Sequence, residues 1–155
     1  MIEHDFKTAI LTELELSLPE ISPDFMLIPR HVKYSIDSEP RLVDLLFYHR
    51  KMQTMMPFYL MIGELHNDDI EWMQGNLRTL LNYKIRKRDK NPIGFILCVQ
   101  DNKEHVELVE LEKSERFISK NHVEFPLKQI FNSKLHDAVH QARKQLVHGE
   151  VYRRT

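Results

Sequence analysis

The sequence is poor in cysteine and glycine, has almost no net charge, and contains no long apolar run. Its single cysteine, Cys98, excludes an intramolecular disulfide and fits a reducing compartment. A net charge of -1 at pH 7 gives no global attraction to nucleic acid or to an anionic membrane, so any such binding has to come from a local patch. No apolar segment approaches the roughly 20 residues of a membrane-spanning helix, and the N-terminal MIEHDFKTAI lacks the form of a signal peptide. The expectation is a cytoplasmic protein with no membrane partner. Internal repeats and low-complexity segments are absent as well. What remains is the composition of an ordinary soluble domain, 42% hydrophobic and 29% charged, in 155 residues, long enough to bury a core. We read a single domain over 1–147 and a flexible tail over 148–155.

The chain is organised around residues 41–65, RLVDLLFYHRKMQTMMPFYLMIGEL. Aromatic-rich apolar runs bounded by polar residues predict two adjacent strands, 42–48 and 56–62, buried on both faces. One carboxylate, Asp44, lies inside the first, where a charge is costly without a partner, a metal or a way out to water. Upstream, Phe6, Ala9, Ile10 and Leu14 predict an amphipathic helix over 3–16, closed by Pro19 and Pro23. FMLIPRHVKYSI, 25–36, reads as a strand interrupted at Pro29. Downstream, Asn67 or Asp68 caps a helix whose stripe is Ile70, Met73, Leu77, Leu80 and Leu81. A central strand follows at 93–100, and 104–112 fits either a strand or a short helix. A short strand is expected at 122–125 and a long helix at 127–147, where Asn132-Ser133 marks a candidate break. The fold class is α/β, a mixed β-sheet flanked by helices.

Three blocks in this order, VDLLFYHRK at 43–51, IG at 62–63 and NPIGFILC at 91–98, resemble one nuclease family. It is the C-terminal domain of YhcG-like proteins, a branch of the PD-(D/E)XK superfamily with a restriction-endonuclease-like fold. Members read close to iDLLFYHRRL, viELKIG and NPpIGILLC. The resemblance runs from about Glu3 to about Leu111 and is weak over the last 40 or so residues. It implies a helix, a three-stranded meander, a helix and another strand, which is the order read above from the residues alone. It also implies a site: an Asp at the second strand, a Glu and a Lys two apart on the third, and often a Glu on the first helix. Two carboxylates hold Mg²⁺ beside the scissile phosphate, and the lysine orients or activates water.

Carried over residue by residue, Asp44 matches the metal-binding Asp and Glu3 the helix Glu. The third strand departs from the pattern. Aligned without a gap, the Glu position is Tyr59 and the Lys position is Met61. A tyrosine is a poor ligand for a hard cation at neutral pH, and a methionine is no ligand for it and no base. A second alignment places Glu64 and His66 on the Glu-x-Lys motif, at the cost of a five-residue insertion and of the Ile62-Gly63 match. On the first alignment hydrolysis is lost and no cofactor is needed. On the second, Asp44, Glu64 and His66 form a rearranged Mg²⁺ site.

A basic run, Lys84, Arg86, Lys87, Arg88 and Lys90, is the best candidate for phosphate contacts, with Arg30 and Arg78 as further cations. Its bland reading is a solvated helix end favoured by the macrodipole. His136 and His140 stand four apart on a helix, a zinc-compatible spacing that solvent-exposed histidines share. Trp72 packs its helix on the sheet or forms a binding surface. Three functions follow: a catalytically inactive nuclease fold binding nucleic acid or protein, an active Mg²⁺-dependent DNA endonuclease, or a subunit that self-associates as a homo-oligomer through the C-terminal helix.

Overall fold

The apolar alternation in the middle of the chain belongs to strands covered on both faces, and it builds one mixed sheet. The computed structural model describes residues 2–28, 35–36, 39–40, 43–82, 89–101, 103–111 and 121–154, with side chains within 5–28, 43–82, 89–101, 103–111 and 127–146. The elements are α1 (Ile2–Ile21), β1 (Phe25–Leu27), β2 (Ser35–Ile36), β3 (Glu39–Pro40), β4 (Leu45–His49), β5 (Thr54–Ile62), α2 (Asn67–Leu80), β6 (Gly94–Gln100), β7 (Lys103–Val109) and α3 (Asn121–Arg154). The main sheet has the order β1-β4-β5-β6-β7, and β2 and β3 pair separately. Only β5 and β6 run parallel, joined through α2; every other neighbouring pair is antiparallel. This is the expected α/β class, a mixed sheet flanked by helices.

Period two sends Phe47, Met56, Phe58, Leu60, Phe95, Leu97 and Val106 to one face, where α1 and α3 cover them with Ile10, Leu14, Leu18, Phe131, Leu135, Val139 and Ala142. Ile96, Cys98, Tyr59 and Met61 face the other way, toward Met73 and Leu77 of α2. The closest approach is at Gly94, where a Cβ would lie 2.6 Å from Met73 Sδ and 2.7 Å from its Cγ. Met73 is fully buried and has no solvent to swing into. Gly94→Val is therefore expected to cost about 1–3 kcal/mol by overpacking. Denaturant titration checks this, and the cost should shrink in a Met73→Ala background that makes room.

The structure departs from the sequence reading at several places. α1 passes through Pro19 to Ile21, because Leu18 and Ile21 continue the buried stripe and the missing N–H costs a single bond in the last turn. The strand expected over 25–36 is only three residues long at β1, with β2 at its far end, and 29–34 lie outside the described residues. β4 starts at Leu45, after Asp44. His66, not Asn67 or Asp68, is the N-cap of α2. The ambiguous segment at 104–112 contributes β7, while 122–125 belongs to α3 and not to a strand. An alternating stretch that short does not separate the two periods. Asn132 and Ser133 do not break α3: both are exposed, and the buried series Phe131, Leu135, Ala138, Val139, Ala142 runs past them. α3 is assigned through Arg154, beyond the boundary expected at 147.

The β4–β5 turn carries a pH-sensitive group. His49 is buried, and its Nδ1 accepts the Met52 N–H at 3.1 Å, so the proton sits on Nε2. Burial pushes its pKa below the usual 6.5, partly opposed by Asp24. A lowered histidine pKa means the unfolded chain takes up the proton first. Its contribution is complete above pH 6.5 and is lost as pH falls through the folded value. The denaturation midpoint is expected to fall between pH 7 and 5 more steeply for the wild type than for His49→Gln.

Candidate active site

Asp44 stands one residue ahead of β4, and the ladder between β4 and β5 begins at Leu45↔Phe58. Beyond that pair β5 has no β4 residue beside it, and the backbone of buried Leu60 needs another acceptor. Asp44 supplies it. Its own N–H donates to the Phe58 carbonyl at 2.9 Å, and its Oδ2 accepts the Leu60 N–H at 2.7 Å. The carboxylate stands in for a strand carbonyl at the open margin of β5.

The same oxygen has a second partner that the sequence did not point to. Lys7, from α1, places Nζ 3.5 Å from Asp44 Oδ2, with the two side chains 29% and 20% exposed and so largely shielded from water. Nζ also lies 4.9 Å from the centre of the Tyr59 ring. Tyr59 packs on Trp72 with ring centroids 4.6 Å apart. Burial, then the Asp44 and Asp69 carboxylates, push the Tyr59 phenol above its ordinary pKa, so it stays neutral at pH 7. Met61 pairs with Cys98 across β5 and β6 and packs among Ile96, Met73 and Leu77. Burial first, and then Glu107 and Asp69, push the Cys98 thiol up to about 11, which makes it an inert apolar residue.

β5 ends at Ile62, and Gly63 follows in a conformation, φ +134°, that favours glycine. Glu64 and His66 are exposed beyond it, and the His66 N–H donates to the Asp69 carboxylate at 2.9 Å in capping α2. Neither forms a hydrogen bond or ion pair with Asp44 among the described residues. Glu3 lies in the first turn of α1, one turn before Lys7, with its side chain outside the described set. Among the described residues no group of three His, Cys, Asp or Glu side chains could hold a metal ion.

Arg30 and residues 84–88 lie outside the described residues. The end of the basic run is fixed nonetheless. Asp89 is buried and accepts the Tyr48 hydroxyl at 2.6 Å, the Lys90 N–H donates to the Gln53 carbonyl, and the Ile93 N–H to Met55. Arg78 is exposed in the last turn of α2. His136 pairs with Glu104 at 2.8 Å, an interaction that raises its pKa and ties α3 to β7, while His140 is exposed. Over its described side chains, 127–146, the buried apolar residues of α3 pack against α1 and the sheet, and Leu16 is the one large hydrophobic residue left exposed among the described residues.

Residues 1–139 match the family model described as the YhcG PDDEXK nuclease domain, reaching past Leu111 into α3. YhcG of Escherichia coli (strain K12) is 31% identical over 102 residues, 63% of this chain and 26% of that protein. The chain thus corresponds to about a quarter of that relative's length. No solved structure matches. None of the described helices is long and apolar enough to cross a membrane.

Proposed function

The chain belongs to the YhcG family of PD-(D/E)XK nuclease domains, and from that premise we propose that it is a catalytically silent nuclease fold acting as a nucleic-acid-binding module. One observation carries the reading. The two β5 positions that the family pattern fills with glutamate and lysine hold Tyr59 and Met61, while the carboxylate of Asp44 is taken up by Leu60 N–H and Lys7. Mg²⁺ needs near-octahedral oxygen coordination and releases its waters reluctantly. A neutral phenol, a thioether and one engaged carboxylate do not meet that need, so the described residues do not fit the ion.

Binding is assigned to the basic stretch 84–90 with Arg78 and Arg30. Support comes from the density of positive charge, five cations within seven residues. The test is DNA and RNA retention across a salt series. Affinity should fall steeply with salt, and Lys84→Ala/Arg86→Ala/Lys87→Ala/Arg88→Ala should weaken binding and flatten the salt slope by about 0.9 for each duplex phosphate no longer neutralised. No retention at low salt, or retention that these substitutions leave unchanged, would exclude the nucleic-acid reading and leave a protein partner in its place.

A further inference from the structure

We propose that Lys7 is a resident counter-cation for Asp44, tethered where a working nuclease of this fold holds its divalent ion. The proposal rests on the silent-site reading and adds a competing charge to the missing ligands. Lys7 Nζ is 3.5 Å from the same Oδ2 that accepts the Leu60 N–H. A Mg²⁺ ion on that oxygen, at about 2.1 Å, would sit no more than about 5.6 Å from the ammonium. Both cations would share one partly shielded carboxylate.

The substitution on β5 fits this exchange. Two carboxylates balance a dication, whereas one carboxylate balances one ammonium. Tyr59 replaces the second anion with a neutral ring, and Lys7 lies 4.9 Å over its centre. A π face at that distance attracts an ammonium but offers a dication no oxygen to match its lost water. The lysine also has the advantage of a tether. Ile10 and Leu14 bury α1 on the sheet, so the ammonium is presented at the high effective concentration of a short linker, while a free ion has to compete from solution.

Trp72, the sole tryptophan, packs on Tyr59 with ring centroids 4.6 Å apart and gives the site its own reporter, because it sensitises Tb³⁺ luminescence at short range. Tb³⁺, with Mn²⁺ as competitor, would be titrated into wild type, Lys7→Met, Lys7→Arg and Lys7→Met/Asp44→Asn. Lys7→Met is expected to bind at least tenfold tighter than wild type, Lys7→Arg to match wild type, and the double variant to lose the gain. Binding no tighter in Lys7→Met, or a gain that survives Asp44→Asn, overturns the proposal. If Lys7→Met fails to fold, reductive methylation of the wild type decides. Lys7 should react more slowly than exposed Lys51 and speed up severalfold in Asp44→Asn; equal rates in both proteins overturn the proposal. Mg²⁺-dependent cleavage by the wild type would sink the silent-site reading itself. Absence of cleavage together with no gain in Lys7→Met would sink only the role of Lys7.

Discussion

Asp44→Ala is expected to destabilise the fold by about 2–4 kcal/mol, the sum of a charge-assisted hydrogen bond to a buried amide and a partly exposed ion pair. The larger share comes from Leu60, whose N–H loses its acceptor in a part of β5 that β4 does not reach. The smaller share is the Lys7 pair, modest because both side chains keep some exposure to water. Asp44→Asn separates the two. Its amide oxygen can still accept from Leu60, and the expected cost is only about 1 kcal/mol. Urea or thermal denaturation of both variants reads the difference directly. A carboxylate retained for metal chemistry has the opposite signature, since removing it from a metal-free cleft relieves charge. A stabilised Asp44→Ala would therefore count against the structural role given to this residue.

Phe131→Ala is expected to cost about 3–5 kcal/mol. Phe131 is fully buried and is one of the α3 side chains that cover the sheet. Its ring lies 5.7 Å from Phe25, 5.0 Å from Phe58 and 4.8 Å from Phe95, in edge-to-face arrangements worth more than their buried area alone. Three sheet strands, β1, β5 and β6, are locked to one helix through this side chain. A loss below about 1 kcal/mol in denaturant titration would mean that α3 does not pack as described.

Much of this was legible before the structure because the blocks most specific to the family are structural ones. In VDLLFYHRK, Tyr48 holds buried Asp89, His49 closes its own turn through Met52, and Arg50 donates its N–H to the Asp24 carbonyl. In NPIGFILC, Gly94 lets α2 approach. Such positions tolerate few residue types, so they can be read as strings whatever the chemistry of the site. The class of the sheet, the main strands and α2 followed from period and apolar content alone.

The misses have a common physical origin, which is tertiary packing overriding a local signal. Pro19 reads as a stop, yet buried Leu18 and the packed Ile21 carry α1 past it. Residues 122–125 alternate like a strand but are drawn into the helix that Phe131 and Leu135 anchor. Within the candidate site, Asp44 was readable as a charge inside an apolar strand, and Tyr59 and Met61 followed from the gapless alignment with the family's third-strand motif. Lys7 was not readable. It lies 37 positions from Asp44, among polar residues on a helix, and which turn of α1 crosses the margin of β5 depends on how α1 packs against the sheet. Glu64-Leu65-His66 reads as a shifted motif; in the structure Gly63 turns the chain out of β5 and that tripeptide leads into α2.

Everything proposed for the site turns on whether this nuclease fold hydrolyses DNA. The deciding experiment is cleavage of supercoiled, linear duplex and single-stranded DNA by the purified protein with Mg²⁺ or Mn²⁺, beside Asp44→Ala prepared identically. The two proteins should be indistinguishable, and neither should rise above the no-enzyme background. Metal-dependent cleavage by the wild type that disappears in Asp44→Ala would mean that Asp44 serves a working metal site and that the fold is not silent.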